Sequence, residues 1–283
     1  YIANLHTEQD HAGTTEALTE LFPEAQLVAS PKVIELMGTH LHIPEERFMV
    51  LKAGDQLDLG NLHLTCYPIA WAHWPDNTML YLEEEGILFS SDLFGSHYAQ
   101  VPGSFVYNSA DVRKANRAYY AEIMMPYRAQ VARHTAKVRE LNPRMIAPAH
   151  GPVWENPSEV LDLYTDWTSD AVLPKVVIGY VTMHDSTRTI VQQLTHRIAA
   201  AGIEVSCHNL VSEPKDLMIE SGEFMNAAVD ASTAIIATPT VLTGPHPAAA
   251  YLAILMNALK PKLRHIGFVT SYGWAGKTTE TLD

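Results

Sequence analysis

Short apolar runs divided by polar turns fill the first part of the chain. YIANL (1–5), QLVA (26–29), FMVL (48–51) and LHLTCYPI (62–69) have the length and β-branched or aromatic content of strands. LYLEE and GILFS, around 80–90, read as a hairpin pair. Residues 111–141 are charged and periodic, with adjacent Tyr119 and Tyr120, and predict two helices broken near Pro126. RMIAPAH (144–150) predicts one more strand leading into a loop. ENPSEVLDLYTDWTSD (155–170) predicts a closing helix. Pro174 marks the boundary between a first domain, 1–172, and a second, 173–283.

The pattern then changes. KVVIGYV (175–181) is almost continuously apolar, as expected of a strand buried on both faces. Ser186 can cap a helix whose apolar residues Ile190, Leu194 and Ile198 recur every four positions, and Gly202 stops it. IEVSC (203–207), STAIIATPT (232–240) and HIGFVTSYG (265–273) are further strands, the last two running into loops. Strand and helix alternate, which argues an α/β domain with a doubly wound parallel sheet.

Composition narrows the function classes. With 283 residues, 47% apolar and 18% charged, the chain can bury two cores. No run of 18 apolar residues occurs, so no transmembrane helix is expected. The formal charge of −13 argues against nucleic acid or an anionic membrane surface as partner. Cys66 and Cys207, one in each domain, exclude a disulfide framework or a thiolate zinc cluster and point to a reducing cytoplasm. No signal peptide is legible. Histidine is abundant at 14, which suits a metal site built from imidazoles and carboxylates.

The strongest chemical signal is HTEQDH, residues 6–11, directly after the first strand. In an extended loop His6, Glu8 and Asp10 share one side, because side chains alternate, and His11 adds a fourth donor. A solvated acidic loop is the ordinary alternative. Three later segments raise the odds: AHWPD with His73, FSSDLFGSH with Asp92 and APAHGPVW with His150. Each sits beyond the C-terminal end of a strand, where loops gather sites. His40, His42 and His63 read as structural or exposed, and His134, in a charged helix, as solvated. Trp74 and His97 lie near candidate donors, where lining the pocket is one reading and an ordinary structural place the other.

This order resembles the metallo-β-lactamase superfamily, whose αββα fold carries two metals behind an H-x-H-x-D-H motif. Here Glu8 stands at the second histidine, giving the H-x-E-x-D-H pattern of the flavodiiron proteins. Added carboxylate moves such a site toward harder, redox-active ions. The resemblance implies His6, Glu8 and His73 on one iron, Asp10, His11 and His150 on the other, and Asp92 bridging.

Three loops of the second domain are similar to the FMN loops of the same family. TMHDST supplies Thr182, Met183, His184, Asp185, Ser186 and Thr187 between a strand and a helix N-terminus, a setting for a phosphate. It lacks G-x-G-x-x-G, so NAD is not favoured, and His184 stands where the family often has an aromatic residue. ATPTVLTGPHP supplies Pro239, Thr240, Val241, Leu242 and Gly244. TSYGWAGK supplies Ser271, Tyr272, Gly273, Trp274 and Gly276, with Trp274 able to stack on the flavin ring.

The resemblance covers the whole chain and implies a fold of αββα domain followed by flavodoxin-like domain, with further family elements at both ends. It implies a flavodiiron oxidoreductase with two non-haem iron ions and FMN, reducing O₂ to water, NO to N₂O, or both. A rubredoxin or a reduced deazaflavin would be the donor, and a head-to-tail homodimer, or a dimer of dimers, the assembly. Two rivals are a dizinc hydrolase of the β-lactamase type with an appended flavodoxin-like domain, and an electron carrier using only the second domain. Glu8 argues against the first, and the full donor set against the second.

Overall fold

The apolar runs of the first part become two sheets lying face to face. The computed structural model describes residues 1–99, 110–211 and 216–282. Strands β1 (Ile2–Asn4), β2 (Leu27–Ala29) and β3 (Phe48–Val50) form a parallel three-stranded sheet in that order. Strands β4 (Gln56–Asp58), β5 (His63–Pro68), β6 (Thr78–Leu82) and β7 (Ile87–Phe89) run antiparallel, and β8 (Met145–Ala147) adds to β7 in parallel. Val28 and Met49 of the first sheet meet Leu57, Leu64, Cys66 and Leu80 of the second, so each sheet buries one face against the other.

Helices flank these sheets. The short α1 (Gln9–Ala12) and α3 (Pro31–Met37) bury Ala12, Val33 and Met37 against Ala29. Between them lies α2 (Thr15–Leu21). Ser30 caps α3 by accepting from Val33 N–H, with Pro31 at the first helical position. After α4 (Ala110–Tyr119) come a π-helical turn, Tyr120–Met124, and a 3₁₀ turn, Met125–Tyr127; the expected break at Pro126 is thus a change of helical pitch. Helices α5 (Arg128–Leu141) and α6 (Pro157–Thr168) follow, the latter burying Tyr164 edge-on to Phe94 at 4.8 Å. The result is an αββα arrangement.

By its contacts the chain forms two compact units, Tyr1–Asn116 with Tyr127–Thr168, and Arg117–Pro126 with Ser169–Asp283. Within the second, Arg117 donates to the Asn226 carbonyl at 3.1 Å and pairs with Asp230 at 2.7 Å.

The second unit is a parallel sheet of β9 (Leu173–Tyr180), β10 (Glu204–Asn209), β11 (Ala231–Val241) and β13 (His265–Ser271), in the order β10-β9-β11-β13. A short β12 (Gly244–Pro245) turns back on the end of β11. Pro174 falls at the second position of β9 rather than before it, where a strand tolerates its missing N–H. Alternation along β9 places helices on both faces. Val176 and Ile178 pack with Val191, Leu194 and Ile198 of α7 (Ser186–Ala200). A Cβ on Gly179 would strike Leu252 of α9 (Pro247–Leu259) and lie 3.2 Å from the Phe224 ring of α8 (Leu217–Ala228). Val191 takes the core position expected of Ile190, which is exposed. The cap position of α7 belongs to Asp185, and Ser186 is its first helical residue. A last helix, α10 (Thr278–Leu282), follows β13. Among the described residues, no helix is long and apolar enough to cross a membrane.

Two outcomes follow from this packing. Cys66 is fully buried, and burial pushes its thiol up to about 11, with Asp55 adding to the effect, whereas Cys207 is exposed. A thiol reagent at pH 8 should therefore label one cysteine in the native chain and both in denaturant. Secondly, His246 caps α9 by accepting from Ala248 N–H on Nδ1 at 3.2 Å, and burial holds its pKa below the ordinary 6.5. The unfolded chain protonates first, so this group's stabilisation is full above 6.5 and is lost as pH falls from there toward the folded value. In urea unfolding, His246→Asn, which keeps a capping acceptor, should match the unaltered chain at pH 7.5 and exceed it at pH 5.5.

Candidate metal centre

Four loops at the C-terminal ends of β1, β5, β7 and β8 converge in the first unit. The HTEQDH segment is not extended throughout. Glu8 is its last extended residue, and its carbonyl accepts from His11 and Ala12 N–H, opening α1. His6 and Glu8 therefore project from extended backbone, while Asp10 and His11 project from a helical turn. That turn, rather than alternation, splits the motif into two donor groups. One comprises His6, Glu8, His73 and Asp92; the other comprises Asp10, His11 and His150.

Asp92 lies between them without exposure to solvent. Its Oδ2 faces His73 Nε2 at 2.9 Å and His6 Nε2 at 3.4 Å. Its Oδ1 faces His11 Nε2 at 3.0 Å and His150 Nε2 at 3.3 Å. Glu8 approaches His6 and His73 at 3.2 and 3.4 Å, and Asp10 approaches His150 at 3.1 Å. His11 and His150 bring their Nε2 atoms to 3.2 Å of each other. Two ring nitrogens at that distance both need a hydrogen or a cation between them and the carboxylates.

The electrostatics say the same. Burial disfavours the charged form of Asp92, but the close imidazoles of His11, His150 and His73 outweigh it and hold its carboxyl far below the usual range. Burial likewise opposes charge on His6 and His11, yet Asp76 and Asp92 raise the first, and Asp92 with Asp10 the second. The hydrogen bond to Asp92 raises His150 against its burial. Among the described residues, the ion pairs of Glu8, Asp10 and Asp92 are all with imidazoles. Neutral imidazoles leave three negative charges close together, that of Asp92 sealed from water and those of Glu8 and Asp10 half-exposed. This donor set fits metal cations, which displace protons from the same atoms.

The loops are held in conformations that side chains ordinarily avoid. Trp71, His73, Ser91 and Phe94 all have positive φ, between 52° and 71°. The loops after β7 and β8 are tied together by Ala149 N–H to Ser91 O at 2.8 Å and Ser96 N–H to His150 O at 3.1 Å. Gly151, at φ 80°, passes so close that a Cβ would strike Ser96 Oγ and lie 2.8 Å from the Ser96 carbonyl.

Residues without an assigned role also reach the site. The Trp74 ring stands edge-on to His6 at 5.1 Å, and the His97 ring to His150 at 5.6 Å. Trp74, Leu36, Thr39 and His40 line a cavity of about 520 Å³ that reaches Glu8 and Asp10. Asp76 accepts from His6 Nδ1 at 3.1 Å. It lies in the AHWPD segment, but nothing in that run marks it as His6's partner. His134 is not solvated: it is half-buried, its Nε2 bonds to the Ala70 carbonyl at 3.0 Å, and burial lowers its pKa.

In the second unit, the three loops lie at the C-terminal ends of the neighbouring strands β9, β11 and β13. Thr182 Oγ1 is buried without a hydrogen-bond partner, Thr187 is buried, and Asp185 adopts φ 61° with its carboxylate paired to Arg188 at 2.9 Å. Met183 is exposed beside it, and His184 and Ser186 are exposed as well. Pro239, Thr240 and Val241 are still in β11, and Leu242 with Thr243 makes the left-handed turn to Gly244. Ser271 ends β13; Tyr272 and Trp274 are exposed, and Gly273 and Gly276 lie in the loop beside them.

Gly151→Ala should cost about 1–3 kcal/mol from the backbone conformation alone, more with the Ser96 contact, as read from chemical unfolding. A stability within 0.5 kcal/mol of the unaltered chain, roughly the scatter of neutral surface changes, would contradict this account of the loop.

Residues 1–151 match the model of the ODP family of beta lactamases. The coenzyme F420H₂ oxidase of Methanothermobacter marburgensis is 30% identical over 272 residues, covering 92% of this chain. The chain spans 64% of that relative's length. A nitric oxide reductase of Moorella thermoacetica is 29% identical and matches all of this chain across 70% of its own. The solved rubredoxin oxygen:oxidoreductase of Desulfovibrio gigas superposes with a TM-score of 0.90 at 28% identity, over 100% of this chain and 70% of that one. The chain thus belongs to the ODP family of beta lactamases and, by its matches along both units, is a flavodiiron protein.

Proposed function

We propose that the first unit holds two iron ions and the second FMN, and that together they reduce O₂ to water, NO to N₂O, or both. His6, Glu8 and His73 would hold one iron, Asp10, His11 and His150 the other, with Asp92 shared through its two oxygens. The observation that carries this reading is the convergence of two carboxylates and four imidazoles around buried Asp92. When bound, the iron pair and the flavin would supply the redox chemistry, and the protein the ligands and geometry.

The chain's own residues have defined tasks in this reading. Glu8 gives the first group a carboxylate where a zinc hydrolase would carry an imidazole, which favours a harder ion. The cavity beside Trp74 and His40 gives a diatomic substrate access to the Glu8 and Asp10 side. In the second unit, Thr182, Ser186 and the first amides of α7 would receive the flavin phosphate, with Arg188 offsetting the charge of Asp185. Met183, His184 and the residues 239–244 would border the flavin, and Trp274 and Tyr272 offer exposed rings to stack on it. The relatives' names support an oxidoreductase fed by rubredoxin or by a reduced deazaflavin. A head-to-tail homodimer, in which one copy's flavin serves the other copy's metal centre, fits the family resemblance. Two free thiols fit a reducing cytoplasm.

The chain, purified anaerobically, should contain about two irons and one flavin, and should consume added O₂ or NO when given a reduced donor. Removing the metal with a chelator should abolish consumption while leaving the flavin reducible. Zinc in place of iron, with esterase activity and no gas consumption, would replace this reading with the hydrolase.

A further inference from the structure

Asp76 is a buried carboxylate that the donor set does not use. It is 2% exposed, between β5 and β6, three residues after His73. A single oxygen, Oδ2, receives three donors: Thr7 N–H at 2.8 Å, Thr7 Oγ1–H at 2.8 Å and His6 Nδ1 at 3.1 Å. The backbone amide of Thr7 can only donate, so it sets the carboxylate's direction independently of His6. The carboxylate can only accept, so His6 must carry its hydrogen on Nδ1. In the neutral ring Nε2 is then left bare for a metal, and it is the atom that faces Glu8 at 3.2 Å and Asp92 at 3.4 Å. The His6 ring has no exposure to solvent and is backed by the edge-on Trp74, so it has no alternative partner in water.

We infer that Asp76 is a positioning residue of the metal centre: it fixes the tautomer and aim of His6 and strengthens its Nε2 as a donor to the Glu8–His73 side. A carboxylate behind a ligating imidazole holds the ring and raises its donor power, and its loss characteristically weakens metal binding ten- to a hundredfold. The inference rests on the metal-centre reading above. Its rival is a tether, in which Asp76 serves only to hold its loop to Thr7.

The test is titration of the metal-free full chain with Co(II), followed by visible absorption and by competition with a chelator. The unaltered chain should take up two equivalents. Asp76→Asn should bind one of them roughly ten- to a hundredfold more weakly, with a shifted ligand-field band for that ion alone. Thr7→Val removes one tethering bond and spares the His6 contact, so it should bind cobalt as the unaltered chain does. Equal losses in both variants, or none in Asp76→Asn, would overturn the role of Asp76 while leaving the metal centre standing. No cobalt uptake by the unaltered chain would overturn both. Nitrogen NMR of the zinc-loaded unaltered chain reads the tautomer directly and requires no variant to fold. Zinc on Nε2 with a hydrogen on Nδ1 of His6 is expected, and the reverse would overturn the inference.

Discussion

A carboxylate sealed from water must find its counter-charge inside the protein, because solvent cannot supply it. Asp92 is in that position, and the first unit is arranged to meet its need. Four imidazoles, two on each oxygen, reach it from three other loops. Neutral imidazoles do not balance the charge, and protonated ones do so only by crowding like charges together, as the His11–His150 approach shows. Metal cations would resolve both problems with the same atoms. In the proposed function, what neutralises Asp92 also completes the site.

The loops that serve Asp92 are strained, and the scaffold beneath them is not. Positive φ at Trp71, His73, Ser91 and Phe94 costs on the order of 1–3 kcal/mol at each position. Such conformations persist when the surroundings determine them. Here the two sheets are pinned by a shared apolar core, and the loops beyond β7 and β8 are bonded to each other outside the strands. The energy of an ordinary sandwich core is thus used to hold donors in a geometry that the loops alone would not keep.

Much of this was legible along the chain because it depends on local pattern. Strands announce themselves by apolar runs, and the donors His6, Glu8, Asp10 and His11 by their density. The α1 turn was not legible, since QDHA is too short to show a period and its formation depends on the Glu8 carbonyl. His134 looked solvated because its helix is charged, but the Ala70 carbonyl that receives it lies 64 residues away. Asp76 was hidden for the same reason, with partners 69 and 70 residues distant. At the second unit's helix, Ile190 and Val191 are equally apolar, and only the helix's rotation against the sheet selects Val191.

The ten residues Arg117–Pro126 give the chain a discontinuous anatomy. Three junctions, not one, separate the two units along the sequence, at 116/117, 126/127 and 168/169. No single cut releases either unit whole. A fragment ending at 168 would carry a helical stretch whose partners Asn226 and Asp230 are gone, and a fragment starting at 169 would expose the surface that Arg117 covers. Recombination that traded the second unit for another fold would have to replace an internal stretch of the first at the same time. The pairing of these two units is for that reason harder to undo by gene rearrangement than a linker-joined tandem would be.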